Sequence, residues 1–590
     1  MRRVVIGILA AIGFVAVLVP IAAGIAFALL RPAQKPLSDH VLLTIDLTRG
    51  LAEGRGETPL QAVAFGKKPT LRDFLDGLEA AAGDPRVRGL YARIGADGLG
   101  LAEIEEVRDA IAAFRARGKF ALAYADSFGE FGPGTRPYYL ATAFDEIWLQ
   151  PMGTVGLVGL YSEVPFLKNT LDLLGITPSF DKREEFKTAI NSLTDTKMTP
   201  PQREEIEAVL NSLGAQIVAG IAAGRRLSPQ QVRQDIDNGP FFATEARQAK
   251  LVDHLGYRDE ARAHALRRAG PGAEPVSLAS YLDRVGRPHR KGPKIALIYG
   301  TGLVQEQGDP ELALFGERVM SARALERAFR AAVRDPEVRA ILFRIDSPGG
   351  SVVASEAIWR DVVFARERGK PVVVSMGDLA GSGGYYVAAA ADKIVAEPAT
   401  LTASIGVFAG KLVLSGLYRK LGITMDSAQL GSNAGMFSAT ADFSAAGRRR
   451  LKTMLDLIYR GFKERVASGR RMPLDKVEEV AKGRVWTGAD AKARGLVDAL
   501  GGYRTALRLA KEAAGIPPAA PVTLAVYPRR KSVFEILYDR LEGKDENDGV
   551  AADESSAFAR ALAALPPLRP LAVLLGHPGV LTMPPLGAPR

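Results

Sequence analysis

Short apolar runs alternate with amphipathic stretches along most of the chain. In its second half, residues 295–299, 340–345 and 371–376 are short and mostly apolar, as buried strands are. Residues 322–333 and 352–368 instead place apolar side chains at helical spacing, and the first of these segments ends before an Asp-Pro pair. Strands that alternate with helices through short turns predict α/β units with a largely parallel sheet.

The pattern occurs twice. Three segments recur in the same order: 84–94 as 335–345, 138–139 as 385–386, and 251–253 as 496–498. The offset between partners stays between 245 and 251 positions, which indicates a duplicated domain. Each copy has roughly 220 residues, enough for a core of its own. We therefore predict a first copy at 36–290, a second at 291–515, and a C-terminal extension at 516–590 that is partly disordered or lies against a membrane.

The N-terminus carries a long apolar run. Residues 4–30 contain no charge, and basic residues stand on both sides of them. About 20 apolar residues suffice for a helix to cross a bilayer, so we expect residues 1–35 to form an uncleaved anchor. A signal peptide cleaved at Ala26-Phe27-Ala28 stays open as an alternative. Two basic residues precede the run and two follow it, so the charge difference that favours a cytoplasmic N-terminus and an exported body comes from the terminal amine.

Composition narrows the chemistry. The chain has 590 residues, 47% hydrophobic and 24% charged, which is typical of folded domains. It has no cysteine, which excludes disulfides, thiolate zinc sites and cysteine nucleophiles. The net charge of +11 is spread thinly, and the basic runs are short. We interpret them as solvated faces with some attraction to anionic lipid, and we expect no nucleic-acid binding.

Two turns of the second copy are candidates for chemistry. The segment 346–350 (Asp-Ser-Pro-Gly-Gly) follows a predicted strand, and paired glycines there let backbone N–H groups approach a ligand. The segment 381–386 (Gly-Ser-Gly-Gly-Tyr-Tyr) precedes an alanine-rich helical stretch, whose N-terminus would favour a developing oxyanion. Its small residues should expose the Ser382 hydroxyl. Either turn alone could be an ordinary tight turn, but together they favour a serine nucleophile.

A serine hydroxyl needs a base. No histidine lies between His289 and His577, so none belongs to the second copy. A histidine from the first copy or the tail could reach the site, but none lies in a recognisable motif. A lysine whose pKa is lowered toward neutrality, either by burial or by a neighbouring cation, is the simpler choice.

The chain resembles the signal peptide peptidase A (protease IV) family in its long bacterial form. The resemblance rests on residues 346–350, 376–386 and 401–407 of the second copy and 183–189 of the first. It implies two tandem ClpP/crotonase-like domains after a transmembrane helix. It assigns Ser382 as the nucleophile, Lys187 as the general base and Ser404 as the partner that orients the lysine. Phe186 stands where many relatives have tyrosine.

The resemblance also supplies candidate oxyanion donors. These are the N–H groups of Gly383 and of Gly350 or Gly349, with Gly350 favoured by analogy with ClpP. The repeat provides a separate test of the assignment. Thr135 aligns with Ser382 but is followed by Arg-Pro, and the segment 431–437, which aligns with the lysine segment, has no lysine. Each copy thus retains half of a Ser/Lys pair, so we expect one site between the copies.

The resulting hypothesis is a membrane-anchored serine endopeptidase that degrades cleaved signal peptides and other hydrophobic peptides. The resemblance implies a homo-oligomer, a tetramer by the family pattern, in the bacterial inner membrane with its body on the periplasmic side. No metal or cofactor is implied. Two alternatives remain: a catalytically silent membrane scaffold, and a crotonase-type acyl-CoA enzyme that needs neither Ser382 nor Lys187.

Overall fold

The computed structural model describes residues 36–54, 68–95, 98–307 and 319–528, together with the backbone of 581–582. The predicted anchor at 1–35 and most of the predicted extension lie outside the described residues.

Strands and helices alternate through the described residues. The strands are β1 Val41–Asp46, β2 Val87–Arg93, β3 Phe120–Ala125, β4 Glu146–Leu149, β5 Thr154–Val155, β6 Thr177–Lys182, β7 Phe241–Phe242, β8 His254–Leu255, β9 Glu274–Ser277, β10 Lys294–Thr301, β11 Leu303–Gln305, β12 Val319–Ser321, β13 Val338–Ser347, β14 Gly350–Ser351, β15 Val372–Gly381, β16 Lys393–Ala396, β17 Leu401–Ala403, β18 Phe408–Val413, β19 Val485–Thr487, β20 Ala499–Leu500, β21 Thr523–Tyr527 and β22 Leu581–Thr582. The helices are α1 Leu71–Gly83, α2 Leu101–Arg115, α3 Thr135–Ala141, α4 Lys168–Leu174, α5 Asn191–Thr194, α6 Pro200–Arg225, α7 Pro229–Asn238, α8 Ala243–Gln248, α9 Arg258–Ala269, α10 Leu278–Val285, α11 Ala322–Arg334, α12 Val352–Glu367, α13 Gly383–Ala388, α14 Ser415–Lys420, α15 Ala445–Arg470, α16 Leu474–Val480, α17 Gly488–Ala493 and α18 Tyr503–Ala513. The predicted α/β class is confirmed.

Two parallel sheets of the same strand order form the body. The first runs β8-β4-β3-β2-β1-β9, and the second contains the path β20-β16-β15-β13-β10-β21. Strands β17 and β19 extend the second sheet beside β15. Because β21 pairs with β10 and buries Leu524, the second sheet continues past residue 515, where the sequence placed the end of the second copy.

The two halves also repeat individual contacts. The Tyr138 hydroxyl donates to the Leu251 carbonyl at 2.8 Å, and the Tyr385 hydroxyl donates to the Leu496 carbonyl at 2.9 Å. An arginine in the last turn of the long helix of each half pairs with an aspartate: Arg225 with Asp253, and Arg470 with Asp498. The recurring segments of the sequence therefore occupy matching places in the two halves.

A third, mixed sheet crosses from one half to the other. Its order is β12-β11-β14-β22-β18-β6. Strand β6 of the first half pairs antiparallel with β18 of the second, from Thr177 opposite Val413 to Lys182 opposite Phe408. The segment after β6 is therefore held against the second half.

Helix α6 is the one helix of the described residues that is long and apolar enough to cross a membrane. Its apolar face, which includes Val209, Leu213 and Ile217, packs into a buried core to which both halves contribute. Such packing is typical of a core helix in a globular protein. We interpret α6 as part of the core, and the predicted N-terminal anchor stays a prediction.

A buried charge cluster joins the halves. Arg344 in β13 lies with its guanidinium 2.8 Å from the Glu53 carboxylate and 3.0 Å from the Glu106 carboxylate, both in the first half. Its other terminal nitrogen donates to the Ser375 hydroxyl, and the guanidinium lies 4.4 Å from the centroid of the Tyr503 ring. The side chain of Arg344 is fully buried, so the ion pairs and hydrogen bonds offset the cost of removing its charge from water.

We expect Arg344→Met to lower the free energy of unfolding by about 3–5 kcal/mol, because two buried carboxylates would lose their cation. Urea denaturation followed by circular dichroism measures this. The control is Arg360→Met, since Arg360 pairs with Glu367 on the surface of α12 and such pairs contribute little. Equal stability of the two variants would contradict the importance of the cluster.

Candidate active site

Ser382 lies at a sharp turn between a strand and a helix. Strand β15 ends at Gly381, and α13 begins at Gly383. Ser382 itself has φ 53° and ψ −114°, a conformation that is unfavourable for a residue with a Cβ. Two backbone hydrogen bonds hold it: its N–H donates to the Ala403 carbonyl at 2.7 Å, and its carbonyl accepts from Tyr386 N–H at 2.8 Å.

The Ser382 side chain is fully buried. The expectation of an exposed hydroxyl was therefore wrong. The reason is that Oγ faces the crevice between the halves, where it contacts the Lys187 amine, instead of facing solvent.

Lys187 reaches this crevice from the loop after β6. The N–H of Phe186, the preceding residue, donates to the Lys482 carbonyl of the second half at 3.1 Å. Gly483 has φ +81°, and a Cβ at that position would lie only 2.4 Å from the backbone nitrogen of Lys187. A glycine is therefore required at 483 for the two backbones to pass this closely.

The amine of Lys187 contacts both serines of the predicted site. Its Nζ lies 2.9 Å from Ser382 Oγ, 3.0 Å from Ser404 Oγ and 3.0 Å from the Ser404 carbonyl oxygen. Ser404 Oγ also donates to the Gly483 carbonyl at 3.3 Å. The structure thus brings Lys187, Ser382 and Ser404 together in one pocket.

Burial lowers the pKa of Lys187 to about 7, because the side chain is fully enclosed and the charged form loses its hydration. The carboxyl of Glu205 acts in the opposite direction, since its negative charge favours the ammonium. The loss of hydration has the larger effect. A large fraction of the amine is therefore neutral near pH 7 and able to accept a proton.

The predicted oxyanion glycines converge beside Ser382. A Cβ on Gly383 would lie 3.1 Å from Gly350 N and 3.2 Å from Gly349 Cα. The Gly383 N–H belongs to the first turn of α13, where no carbonyl of the helix can pair with it. The N–H of Gly349 donates instead to Ser347 Oγ at 3.2 Å. Gly383 is therefore better placed than Gly349, and the role of Gly350 stays a prediction.

The matching positions of the first half lack this chemistry. Thr135, which aligns with Ser382, is the first residue of α3, and its hydroxyl accepts from Val158 N–H at 3.3 Å. Pro137 follows two positions later and has no N–H. Residues 95–99 of the first half align with 346–350, and two of them, 96 and 97, lie outside the described residues. The described groups thus form one site, with the amine from the first half and the hydroxyl from the second.

Two residues of the site had no recognisable signal in the sequence. Glu205 is fully buried near Lys187, although as one of a Glu-Glu pair on a helix it looks like part of a solvated face. Gly483 lies far from every motif that we identified. Only knowledge of the packing between α6, the loop that carries Lys187 and β19 could have revealed either residue.

An extended strand of the chain lies beside the site, between β14 and β18. The two-residue strand β22 pairs antiparallel with β14, with Thr582 opposite Gly350, and it also pairs with β18, with Leu581 opposite Phe408. The space between β14 and β18, next to the glycines of the site, is thus filled by an extended backbone of the chain itself. Among the described residues, no cluster of three or more His, Asp or Glu side chains could hold a metal ion.

Comparisons with known proteins agree with this chemistry. The model of peptidase family S49 matches residues 113–270 and 365–517, together more than half of the chain. The chloroplastic serine protease SPPA of Arabidopsis thaliana is 31% identical over 478 residues, which cover 79% of this chain and 69% of that protein. Protease 4 of Salmonella typhi is 30% identical over 80% of this chain and 76% of its own length. Protease 4 of Haemophilus influenzae is 28% identical over 85% of this chain and 83% of its own length.

We expect Gly483→Ala to reduce kcat/KM for peptide hydrolysis by about 100-fold, because the new methyl group displaces the Lys187 backbone and misaligns its amine. Gly118→Ala is the matched control: Gly118 has φ +77° but nothing within 4 Å of the added Cβ. The two glycines have similar positive φ angles, so the variants differ mainly in crowding. If the two variants keep equal activity, the close approach at Gly483 does not position the lysine.

Proposed function

The chain belongs to peptidase family S49 and is a serine-type peptidase, and we propose that it hydrolyses peptide bonds with Ser382 as nucleophile and Lys187 as general base. One observation carries this proposal: the 2.9 Å contact between Lys187 Nζ and Ser382 Oγ, with both side chains fully buried. A buried amine with a pKa of about 7 suits a base that works near neutral pH.

The first half of the reaction forms an acyl-enzyme. The neutral Lys187 amine takes the hydroxyl proton of Ser382 as Oγ attacks the carbonyl carbon of the peptide bond. The carbonyl oxygen gains the negative charge, and we assign the N–H groups of Gly383 and Gly350 to stabilise it. The carbon–nitrogen bond then breaks, and the Lys187 ammonium gives its proton to the departing amine.

The second half releases the acid product. Lys187, neutral again, takes a proton from water as the water oxygen attacks the ester carbonyl. The tetrahedral intermediate collapses, the ester bond breaks, and the ammonium returns its proton to Ser382 Oγ. Ser404 orients the amine throughout through its hydroxyl and carbonyl oxygens, each 3.0 Å from Nζ.

The proposed substrates are cleaved signal peptides and other hydrophobic peptides in extended form. The pairing of β22 with β14 and β18 supports an extended substrate, because a peptide that took the place of β22 would gain the same backbone hydrogen bonds without regard to its sequence. The uncharged run at 4–30 supports an inner-membrane anchor, which would hold the enzyme where apolar peptides concentrate. In this proposal the body lies on the periplasmic side.

The proposal includes two tandem ClpP/crotonase-like domains and assembly into a homo-oligomer. The shared strand order of the two parallel sheets supports the tandem arrangement. An exposed segment of the second half supports assembly: between residues 421 and 437 the apolar side chains of Leu421, Met425, Leu430 and Phe437 are more than half exposed. Exposed apolar groups close together in sequence are typical of interaction surfaces.

Family membership argues against the two alternatives, a silent scaffold and an acyl-CoA enzyme. Neither alternative explains why a buried lysine contacts a serine with a strained backbone. No observation on the described residues favours either of them over peptide hydrolysis.

We expect Ser382→Ala and Lys187→Met each to reduce hydrolysis of a synthetic signal peptide by the detergent-solubilised protein by about 10⁴-fold or more. Thr135→Ala, at the matching position of the first half, should leave the rate unchanged. A fluorophosphonate probe should label Ser382 in the wild-type protein and lose the label in Lys187→Met. Hydrolysis that survives Ser382→Ala would contradict the proposed nucleophile.

The rate should depend on pH through the Lys187 amine. The pKa of about 7 means that the base is mostly protonated, and therefore inactive, below pH 7. We expect log(kcat/KM) to rise with pH up to about 7 and then to level off. A profile that keeps rising to pH 10 would mean that the lysine retains the pKa of a solvated amine.

A further inference from the structure

Glu205 is a second buried ionisable group beside the proposed base. It lies in the first half on α6, and its side chain is fully buried. Its Oε1 accepts from the Val485 N–H at 2.6 Å, whereas its Oε2 has no hydrogen-bond partner among the described residues. A buried carboxyl with one unpaired oxygen is costly to ionise, so its presence here calls for a function.

The contact with Val485 ties Glu205 to the segment that supports the site. Val485 begins β19 and pairs with Ala403, which precedes Ser404. The N–H of Ser404 donates to the Arg484 carbonyl at 2.9 Å. Glu205 thus holds, through one hydrogen bond, the strand segment against which Ser404 lies.

Glu205 also acts on the base through its charge. Burial raises the pKa of Glu205 to about 8, and Lys187, Arg484 and Lys182 are the cations among the described residues that oppose this shift. Glu205 is in turn the group that counters the lowering of the Lys187 pKa. Because the two pKa values are close, each group affects the protonation of the other. Ionised Glu205 favours the Lys187 ammonium, and protonated Glu205 favours the neutral amine.

We propose that Glu205 is a positioning residue that supports Ser404 through Val485 and whose ionisation sets how readily Lys187 holds a proton. This inference rests on the proposed role of Lys187 as the base. When Glu205 is protonated, the resting amine is free to accept the Ser382 proton. When Glu205 is ionised, it stabilises the ammonium that forms as Ser382 attacks.

The test is the variant Glu205→Gln. The amide has nearly the same shape, and its oxygen can still accept from Val485 N–H, but it cannot carry a negative charge. Because the two pKa values are close, Glu205 begins to ionise near the upper end of the acid limb, the part of the profile that rises with pH, and there it holds part of the Lys187 amine as ammonium. The amide cannot do this, so in Glu205→Gln the acid limb should end, and the plateau begin, at lower pH. We expect the upper end of the limb to move by about half a pH unit, with the plateau rate little changed.

Two readouts and one control make the result decisive. The pH dependence of kcat/KM and of fluorophosphonate labelling of Ser382 should shift together, since both need the neutral amine. The control is Glu204→Gln, which removes the same charge from the adjacent position, where the side chain is 59% exposed and pairs with Arg484 at 2.7 Å. Solvent screens that charge, so this variant should keep the wild-type profile.

The outcomes separate this inference from the proposed function. If Lys187→Met is inactive but Glu205→Gln shifts the limb no more than Glu204→Gln does, the role of Glu205 is wrong and that of Lys187 stands. If Lys187→Met retains activity, the proposed base itself is wrong. If Glu205→Gln unfolds, Glu205→Asp is the variant to use. Its shorter side chain keeps the negative charge but places the carboxylate farther from Val485 N–H. An acid limb at the wild-type pH with a lower plateau rate would support the proposal. An acid limb at lower pH in Glu205→Asp would overturn it.

Discussion

The structure depends on one constraint: an amine must be stripped of water and held against a hydroxyl. Lys187 satisfies the first condition because it is fully buried, and the second because its Nζ lies 2.9 Å from Ser382 Oγ. Desolvation of an ammonium is costly, so a surface lysine would stay charged and could not act as a base at neutral pH. The crevice between the halves provides the burial that this requires.

The boundary between the two halves supplies such a crevice. Strand β6 of the first half pairs with β18 of the second, which carries the lysine loop across the boundary. The Arg344 cluster joins the halves at another point of the same boundary. On the side of the second half, Gly483 lets the lysine backbone approach closely. The contact between the halves therefore holds the fold together and also forms the proposed site.

The sequence predicted the α/β class and the identity of the groups that meet, because short motifs and alternating apolar segments carry that information. It did not predict the burial of Ser382, since the expected exposure came from its small neighbours and the covering elements are distant in sequence. It did not predict Glu205 or Gly483 for the same reason. The second sheet also extends past residue 515 because β21 pairs with β10, which is far away in the chain.

The most direct test of the account is a titration of Lys187 itself. In the full chain with ¹³C-labelled lysine, the Cε resonance that disappears in Lys187→Arg belongs to this residue, and its chemical shift reports the protonation of the amine. The account predicts a midpoint near pH 7, well below that of a solvated lysine. A midpoint at the ordinary value, about 10.4, would mean that the amine is charged at neutral pH and cannot be the base.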